Sequence, residues 1–189
     1  ISLADQHRFN QGALFEKEVH KLFKGVNLSE LEFKENIEKT KELVKDKKTI
    51  FEAGFQFNEL FVISDILEYD DGWNLYEIKS TTQVKKHHIP DLAFQKYVLE
   101  KLGIEVKKCF VIFLNKEYVK KGKIDVKQLV SKEDVTEKVN EIEINPDKHL
   151  EVLKGDLPEM NISPNCNKPY ECPLKKECWG TLPENNVLQ

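Results

Sequence analysis

Asp65, Glu77 and Lys79 are the residues of this chain whose types and spacing invite chemistry. They lie in residues 61–80, FVISDILEYDDGWNLYEIKS, where two runs rich in Val, Ile, Leu, Phe and Tyr flank Asp70-Asp71-Gly72. That triplet predicts a β-hairpin turn with glycine in a left-handed position. A three-residue loop centred on Asp71 puts Asp65, six residues before the centre, across from Glu77, six after it. Directly opposed residues have Cβ atoms about 4.5–5.5 Å apart and share a face. Lys79, two residues beyond Glu77, falls on that face too. Like charges opposed across a ladder are destabilising unless something positive lies between them. A divalent cation resolves the conflict, and Lys79 adds a fixed amine beside it. An acid, a hairpin and then Glu-x-Lys is a metal-site arrangement suited to phosphate-ester hydrolysis. The tripeptide is common, and a surface salt bridge is its ordinary meaning. Here, however, Val62, Ile63, Ile66 and Leu67 make the first strand apolar on both faces. The charges therefore belong to a sheet covered on both sides, and buried charges need a reason.

The elements that must position these groups can be read along the chain. Residues 3–23 have helical periodicity, with Phe15, Val19, Leu22 and Phe23 as an apolar stripe and Gly25 as a stop. Glu16 and His20 are spaced i,i+4 on one flank of that stripe. Residues 29–46 predict a second, charge-rich helix carrying Leu31, Phe33, Ile37 and Leu43. Residues 49–57 predict a strand, and Asn58-Glu59 turns it into the central hairpin. Pro90 suits the first turn of a helix running to about residue 102, with Gly103 as its cap. Residues 108–114 form a short strand, apolar from Cys109 onward, of the kind buried inside a sheet. The order is helix, three antiparallel strands, helix, strand, a mixed α/β layer arrangement. Farther on, residues 134–139 predict a helix and 142–144 a short edge strand. Beyond Gly155 the chain changes character: Pro158, Pro164, Pro169 and Pro173 break regular structure and three cysteines appear. This divides the chain into a core over 1–155 and a Pro/Cys-rich tail over 156–189.

With 189 residues, 40% of them apolar and 33% charged, the chain can bury a real core under a very polar surface. A net charge of −4 argues against a protein that coats nucleic acid without specificity. It leaves room for an acidic metal site with local basic contacts. Arg8 is the only arginine, so phosphate contacts fall to lysines, which act as point charges rather than bidentate forks. No apolar run approaches the ~20 residues that span a bilayer, and no signal peptide is visible. A cytoplasmic protein without a membrane partner is expected. The first residue is Ile rather than Met, and TLPENNVLQ stops without an obvious finish. The sequence reads as a domain taken from a longer chain.

Ser64-Asp65, a turn, and then Glu77-Ile78-Lys79 resembles the core of the PD-(D/E)XK nuclease superfamily, with Ser in place of the Pro. Gly12 and His20 in QGALFEKEVHKLF, and the helix HIPDLAFQKYVLEKLG, make the likeness closest to the RecB-type branch. The resemblance implies a restriction-endonuclease-like αβββαβ core, a mixed central sheet flanked by helices. It implies that His20, Asp65, Glu77 and the backbone carbonyl of Ile78 hold Mg²⁺ or Mn²⁺, a neutral imidazole beside two carboxylates suiting either. Such an ion acidifies water and stabilises charge on the scissile phosphate. Lys79 then orients the attacking water or stabilises the transition state. Gln95 lies one turn after Asp91 and is similar to the Gln of the family helix that places DNA and the attacking water. Asp65, Glu77, Lys79 and Gln95 are thus the expected catalytic set. The gap to Tyr97 is shorter than the family's, so a DNA contact and plain core packing are both open for it. Glu52, on the neighbouring strand, is expected as a strand-edge salt-bridge partner, with assistance through a water the second reading. Lys85, Lys86, His87 and His88 form a basic loop, either a solvated run or the place where a phosphate backbone passes.

Cys166, Cys172 and Cys178 have the spacing C-x5-C-x5-C. Three thiols this close in a Pro-rich tail suggest a metal centre over a disulfide, although the gap departs from the C-x2-C knuckles of zinc sites. The tail resembles the C-terminal part of the iron–sulphur clamp of RecB-type nucleases, including the CRISPR-associated exonuclease of spacer acquisition; the family's first gap is usually shorter. Such clusters take four thiolates. Cys109, inside the apolar run CFVIFL, reads as a small core hydrophobe. A fourth ligand is therefore expected upstream of Ile1. Nearly the whole chain resembles the N-terminal nuclease domain of a bacterial family otherwise of unknown function, which implies a following ribonuclease-H-like exonuclease domain in the parent chain. The expectation is a metal-dependent DNA nuclease, an exonuclease on single strands or ends. Its competitors are a non-catalytic nucleic-acid-binding or scaffold domain on the same fold, and a zinc-bound interaction module built on the three cysteines.

Overall fold

A computed structural model describes residues 2–156, 162–168 and 171–186. The chain opens with helix α1 (Leu3–His20), started by a reciprocal cap. The Asp5 N–H donates to the Ser2 hydroxyl at 3.1 Å, and the Ser2 N–H donates to the Asp5 carboxylate at 3.3 Å. Strand β1 (Val26–Asn27) and helix α2 (Phe33–Lys45) follow, then strands β2 (Ile50–Phe57), β3 (Leu60–Tyr69) and β4 (Trp73–Lys79). Helix α3 (His88–Lys101) leads to strand β5 (Val106–Leu114), then α4 (Val126–Leu129), β6 (Val130–Asp134) and α5 (Thr136–Asn140). The chain forms two compact units, 1–144 and 145–189. The second holds α6 (Asp147–Lys154), a 3₁₀ turn (Pro164–Asn167) and α7 (Lys175–Gly180). None of the described helices is long and apolar enough to cross a membrane.

The first unit is α/β, with one mixed six-stranded sheet in the order β1-β2-β3-β4-β5-β6. β1 and β2 are parallel, as are β4 and β5; every other neighbouring pair is antiparallel. The period of two in β4 and β5 sends alternate side chains to opposite faces. Leu75, Cys109 and Val111 join Leu43 of α2, Leu92, Val98 and Leu99 of α3 and Val139 of α5 in one apolar cluster. Tyr76, Phe110 and Ile112 join Phe15 and Val19 of α1 in the other. Each fully buried aliphatic or aromatic side chain here contributes about 1.5–3 kcal/mol. Helices thus cover both faces, and the strands between them read as nearly continuous apolar runs.

The central hairpin has the expected register. Asp71 (φ 50°) and Gly72 (φ 134°) form the turn with the Asp70 N–H donating to the Gly72 carbonyl at 2.9 Å. Tyr69 pairs with Trp73, Leu67 with Leu75 and Ile66 with Tyr76. Elsewhere the boundaries move. α1 ends at His20 because the next three amides bond back to Glu18, Val19 and His20 in tighter turns. α2 starts at Phe33, not 29, because the Ser29 N–H is taken by Asn27 Oδ1 at 2.8 Å and Leu31 closes a turn on Leu28. α3 starts at His88. The edge strand expected at 142–144 is not a strand; β6 occupies the edge, pairing Val130 with Leu114 and Asp134 with Phe110. The Asp134 carboxylate accepts from the Thr136 N–H at 3.0 Å, so it precedes the helix α5 rather than starting it.

Candidate metal centre

The hairpin strands part company at the site. β3 pairs with β4 from Tyr69 back to Ile66; beyond that, β3 runs to Leu60 on β2, while β4 runs to Lys79 on β5. Asp65, Glu77, Ile78 and Lys79 lie where the two strands separate. The Asp65 carboxylate crosses the gap, its Oδ2 accepting the Ile78 N–H at 2.5 Å, so a side chain stands in for the ladder. Helix α1 passes the same end of the sheet: a Cβ on Gly12 would lie 3.9 Å from Ser80 Oγ.

β2 carries a second irregularity, one strand over. Glu52 has φ 55°, between the pairs Phe51 with Ile66 and Ala53 with Ser64. A non-glycine residue in that region costs about 1–2 kcal/mol. The kink resets the alternation: Ile50 and Ala53, an odd number of residues apart, both enter the cluster under α3, while Phe51 enters the cluster under α1. Glu52 is thereby turned toward α1. Asn36 of α2, buried, secures the kink. Its Nδ2 donates to the Glu52 carbonyl at 2.9 Å and to the Leu28 carbonyl at 3.1 Å, and its Oδ1 accepts the Gly54 N–H at 2.8 Å. Only glycine fits at 54, since a Cβ there would stand 2.7 Å from Asn36 Oδ1.

Ligand-type atoms of Glu16, His20 and Glu52 lie within 4.8 Å of one another, and this is the one such set of three or more among the described residues. The His20 ring stacks on Phe51 with centroids 4.2 Å apart and planes 6° from parallel. His20 Nε2 is 3.8 Å from Glu16 Oε1 and makes no hydrogen bond; neither does Glu52 Oε1. Burial pushes the His20 imidazole down, against the weaker opposing pull of Glu16, which favours the neutral ring. Burial, then the charge of Glu16 and a side-chain hydrogen bond with it, then the charge of Glu77, push Glu52 up to about 8. Asp65 is raised well above the usual carboxylate range by burial, then by Glu77 and Glu52; the Ile78 N–H and Lys79 pull the other way. Burial pulls the Lys79 ammonium down, but Glu77, Asp65 and Asp91 outweigh it and hold the group above its ordinary value. Lys79 Nζ sits 2.6 Å from Glu77 Oε1 and 3.6 Å from Asp91 Oδ2. Gln95 Nε2 donates to Glu77 Oε2 at 2.7 Å. The patch is therefore rich in carboxyl groups and poor in counter-charge, which raises the proton affinity of Glu52 and Asp65, and its unpartnered ligand atoms on His20 and Glu52 fit a divalent cation.

Glu77, Lys79, Asp91 and Gln95 come together, with Asp65 in electrostatic contact with Glu77 and Lys79. His20 instead groups with Glu16 and Glu52, and Asp65 and Glu77 are outside that set. Glu52 is no strand-edge salt-bridge partner: it is inside β2, on the kink, with no cation in ion-pair distance among the described residues. Tyr97 lies about 200° around the helix from Gln95; it packs beside the core under α3, with Lys101 Nζ 5.2 Å from its ring centre. Lys85 and Lys86 are exposed in the β4–α3 connection. Cys109 is buried in β5, its thiol pushed up to about 12 by burial. None of the four cysteines is in a disulfide. In the second unit the Ser163 N–H donates to Cys166 Sγ at 3.5 Å and the Cys172 N–H to the Cys166 carbonyl at 2.9 Å. Cys166, Cys172 and Cys178 do not form a three-ligand set like that of Glu16, His20 and Glu52. Glu16 and Glu52 are the residues that sequence reasoning undervalued; the i,i+4 spacing of Glu16 and His20 was the available signal. No protein-family model, curated protein or solved structure matches the chain.

Proposed function

We propose that the first unit is a divalent-metal-dependent nuclease with the restriction-endonuclease-like core of the PD-(D/E)XK class, hydrolysing DNA at single strands or ends. The observation that carries this reading is the gathering of Asp65, Glu77 and Asp91 around Lys79 at the split of the sheet. Asp65 and Glu77, with the carbonyl of Ile78, would hold Mg²⁺ or Mn²⁺. When bound, the ion supplies a Lewis acid for the phosphoryl oxygen and water acidic enough to attack near neutral pH. The protein supplies the rest. Lys79, kept protonated by Glu77, Asp65 and Asp91, presents a fixed positive charge to the developing negative charge on phosphate. Gln95 orients the Glu77 carboxylate through Oε2. Lys85 and Lys86, exposed beyond the catalytic strand, offer point charges to the nucleic-acid backbone.

The same reading assigns Cys166, Cys172 and Cys178 to a metal centre, a 4Fe–4S cluster completed upstream of Ile1 or a zinc ion. It adds a ribonuclease-H-like domain in the parent chain and a cytoplasmic setting, where unpaired thiols persist. The test is hydrolysis of end-labelled single-stranded DNA with Mn²⁺ or Mg²⁺. Lys79→Ala and Glu77→Ala are each expected to lower the rate by about 10²–10³ or more. Activity that survives either substitution, or wild-type protein that binds the DNA and never cuts it, overturns the assignment.

A further inference from the structure

We propose that Glu16, His20 and Glu52 form a cation site of their own beside the Asp65–Glu77 pair, selective for a first-row transition ion such as Mn²⁺ over Mg²⁺. The three side chains come from two elements, α1 and β2, and their ligand atoms fall within 4.8 Å of one another without Asp65 or Glu77 in the set. Independently of that acidic pairing, the His20 side chain is only 10% exposed, and its Nε2 lies 3.8 Å from Glu16 Oε1 without a hydrogen bond. Glu52 Oε1 is likewise buried and without a hydrogen bond.

A purely structural histidine does not explain this arrangement. Stacking on Phe51 needs only a flat ring, and a phenylalanine would supply it without a stranded nitrogen. A His–Glu ion pair does not explain it either. The separation from Glu16 is 3.8 Å, beyond hydrogen-bond reach, and Nε2 is buried without a partner. Two carboxylates that hydrogen-bond to each other, leaving Glu52 Oε1 and the imidazole Nε2 without partners and no cation beside them among the described residues, match a three-point donor set with open positions. The backbone at Glu52 is also held in a left-handed conformation that a strand does not need, and Asn36 and Gly54 exist at the right places to keep it there. Strain of this kind persists where the surroundings over-determine it. The imidazole decides the ion. Mg²⁺ dehydrates reluctantly and prefers oxygen, whereas a nitrogen donor favours first-row transition ions. The site stands whether or not the chain cuts phosphodiesters.

The full chain, stripped with chelator, is titrated with Mn²⁺ in excess Mg²⁺, reading unbound Mn²⁺ by EPR and imidazole nitrogen coupling by pulsed EPR. Wild type is expected to retain Mn²⁺ against Mg²⁺ and to show the nitrogen coupling. His20→Gln should abolish the coupling, and Glu52→Gln and Glu16→Gln should each weaken Mn²⁺ binding about tenfold or more. Asp65→Asn should leave the coupling in place. Absence of coupling in wild type, unchanged affinity in Glu52→Gln, or loss of the coupling in Asp65→Asn, which would mean one ion shared with Asp65, overturns the proposal. Circular dichroism checks each variant; if His20→Gln does not fold, the affinities of the two glutamate variants decide. Hydrolysis measured on the same samples separates the two readings, since absent cutting with the nitrogen-coupled ion in place sinks only the nuclease.

Discussion

His88 holds the connection between β4 and α3 through one acceptor atom, and that atom must stay unprotonated to do so. Its Nδ1 accepts the Lys85 N–H at 3.2 Å, and its side chain is almost wholly buried. Burial, with the charges of His87, Lys79 and Lys85, pushes the imidazole down to about 4, while Asp91 pulls weakly the other way. The unfolded chain binds this proton below about 6.5, the ordinary value, whereas the folded chain refuses it until about 4. The unfolded state therefore carries more protons in that window, so stability is lost as pH falls from about 6.5 toward 4 and is level above it. Thermal unfolding followed by circular dichroism should show the midpoint dropping across this range. His88→Asn, whose Oδ1 can take over the acceptor role, should flatten the drop. Equal slopes in the two proteins would mean that other groups set the acid limb.

At the scale of elements, the kink in β2 depends on a helix that precedes it. Asn36→Ala would strip partners from the Glu52 and Leu28 carbonyls and the Gly54 N–H together, and each orphaned buried group costs about 1–3 kcal/mol. A loss of at least about 2 kcal/mol in urea unfolding is expected, together with weaker Mn²⁺ binding as Glu52 relaxes toward a normal strand. A change under about 0.5 kcal/mol would show that the kink holds without Asn36. This dependence also marks what the sequence could and could not reveal. The hairpin was legible because Asp70-Asp71-Gly72 is a local turn signal and strand alternation carries its register along the arms to Asp65 and Glu77. The turn of Glu52 toward α1 was not, because a left-handed glutamate inside a strand has no local signature and its cause lies on α2. β1, two residues long, has no period to detect, and β6 hid because VSKED reads as polar surface while 142–144 has the alternating apolar pattern of an edge strand.

For the molecule as a whole, the division of the chain into two units sets the cysteines and the acidic residues apart. Both apolar clusters of the sheet are built from residues up to 144. Cys166, Cys172 and Cys178 all belong to that second unit, whereas Glu16, His20, Glu52, Asp65 and Glu77 all belong to the first. A metal held by the three thiols should then order the tail without contributing much to the main cooperative unfolding of the sheet. The full chain with Cys166→Ser, Cys172→Ser and Cys178→Ser, purified anaerobically beside wild type, is expected to lose any iron–sulphide absorbance or tightly held zinc. Its main thermal transition should move by no more than about 4 °C, the shift that roughly 1 kcal/mol gives in a domain of this size. The imidazole coupling of Mn²⁺ should be untouched. A main transition lowered by much more than that, or Mn²⁺ coupling lost with the thiols, would show that the tail supports the sheet, and that thiol chemistry and the acidic site act as one unit.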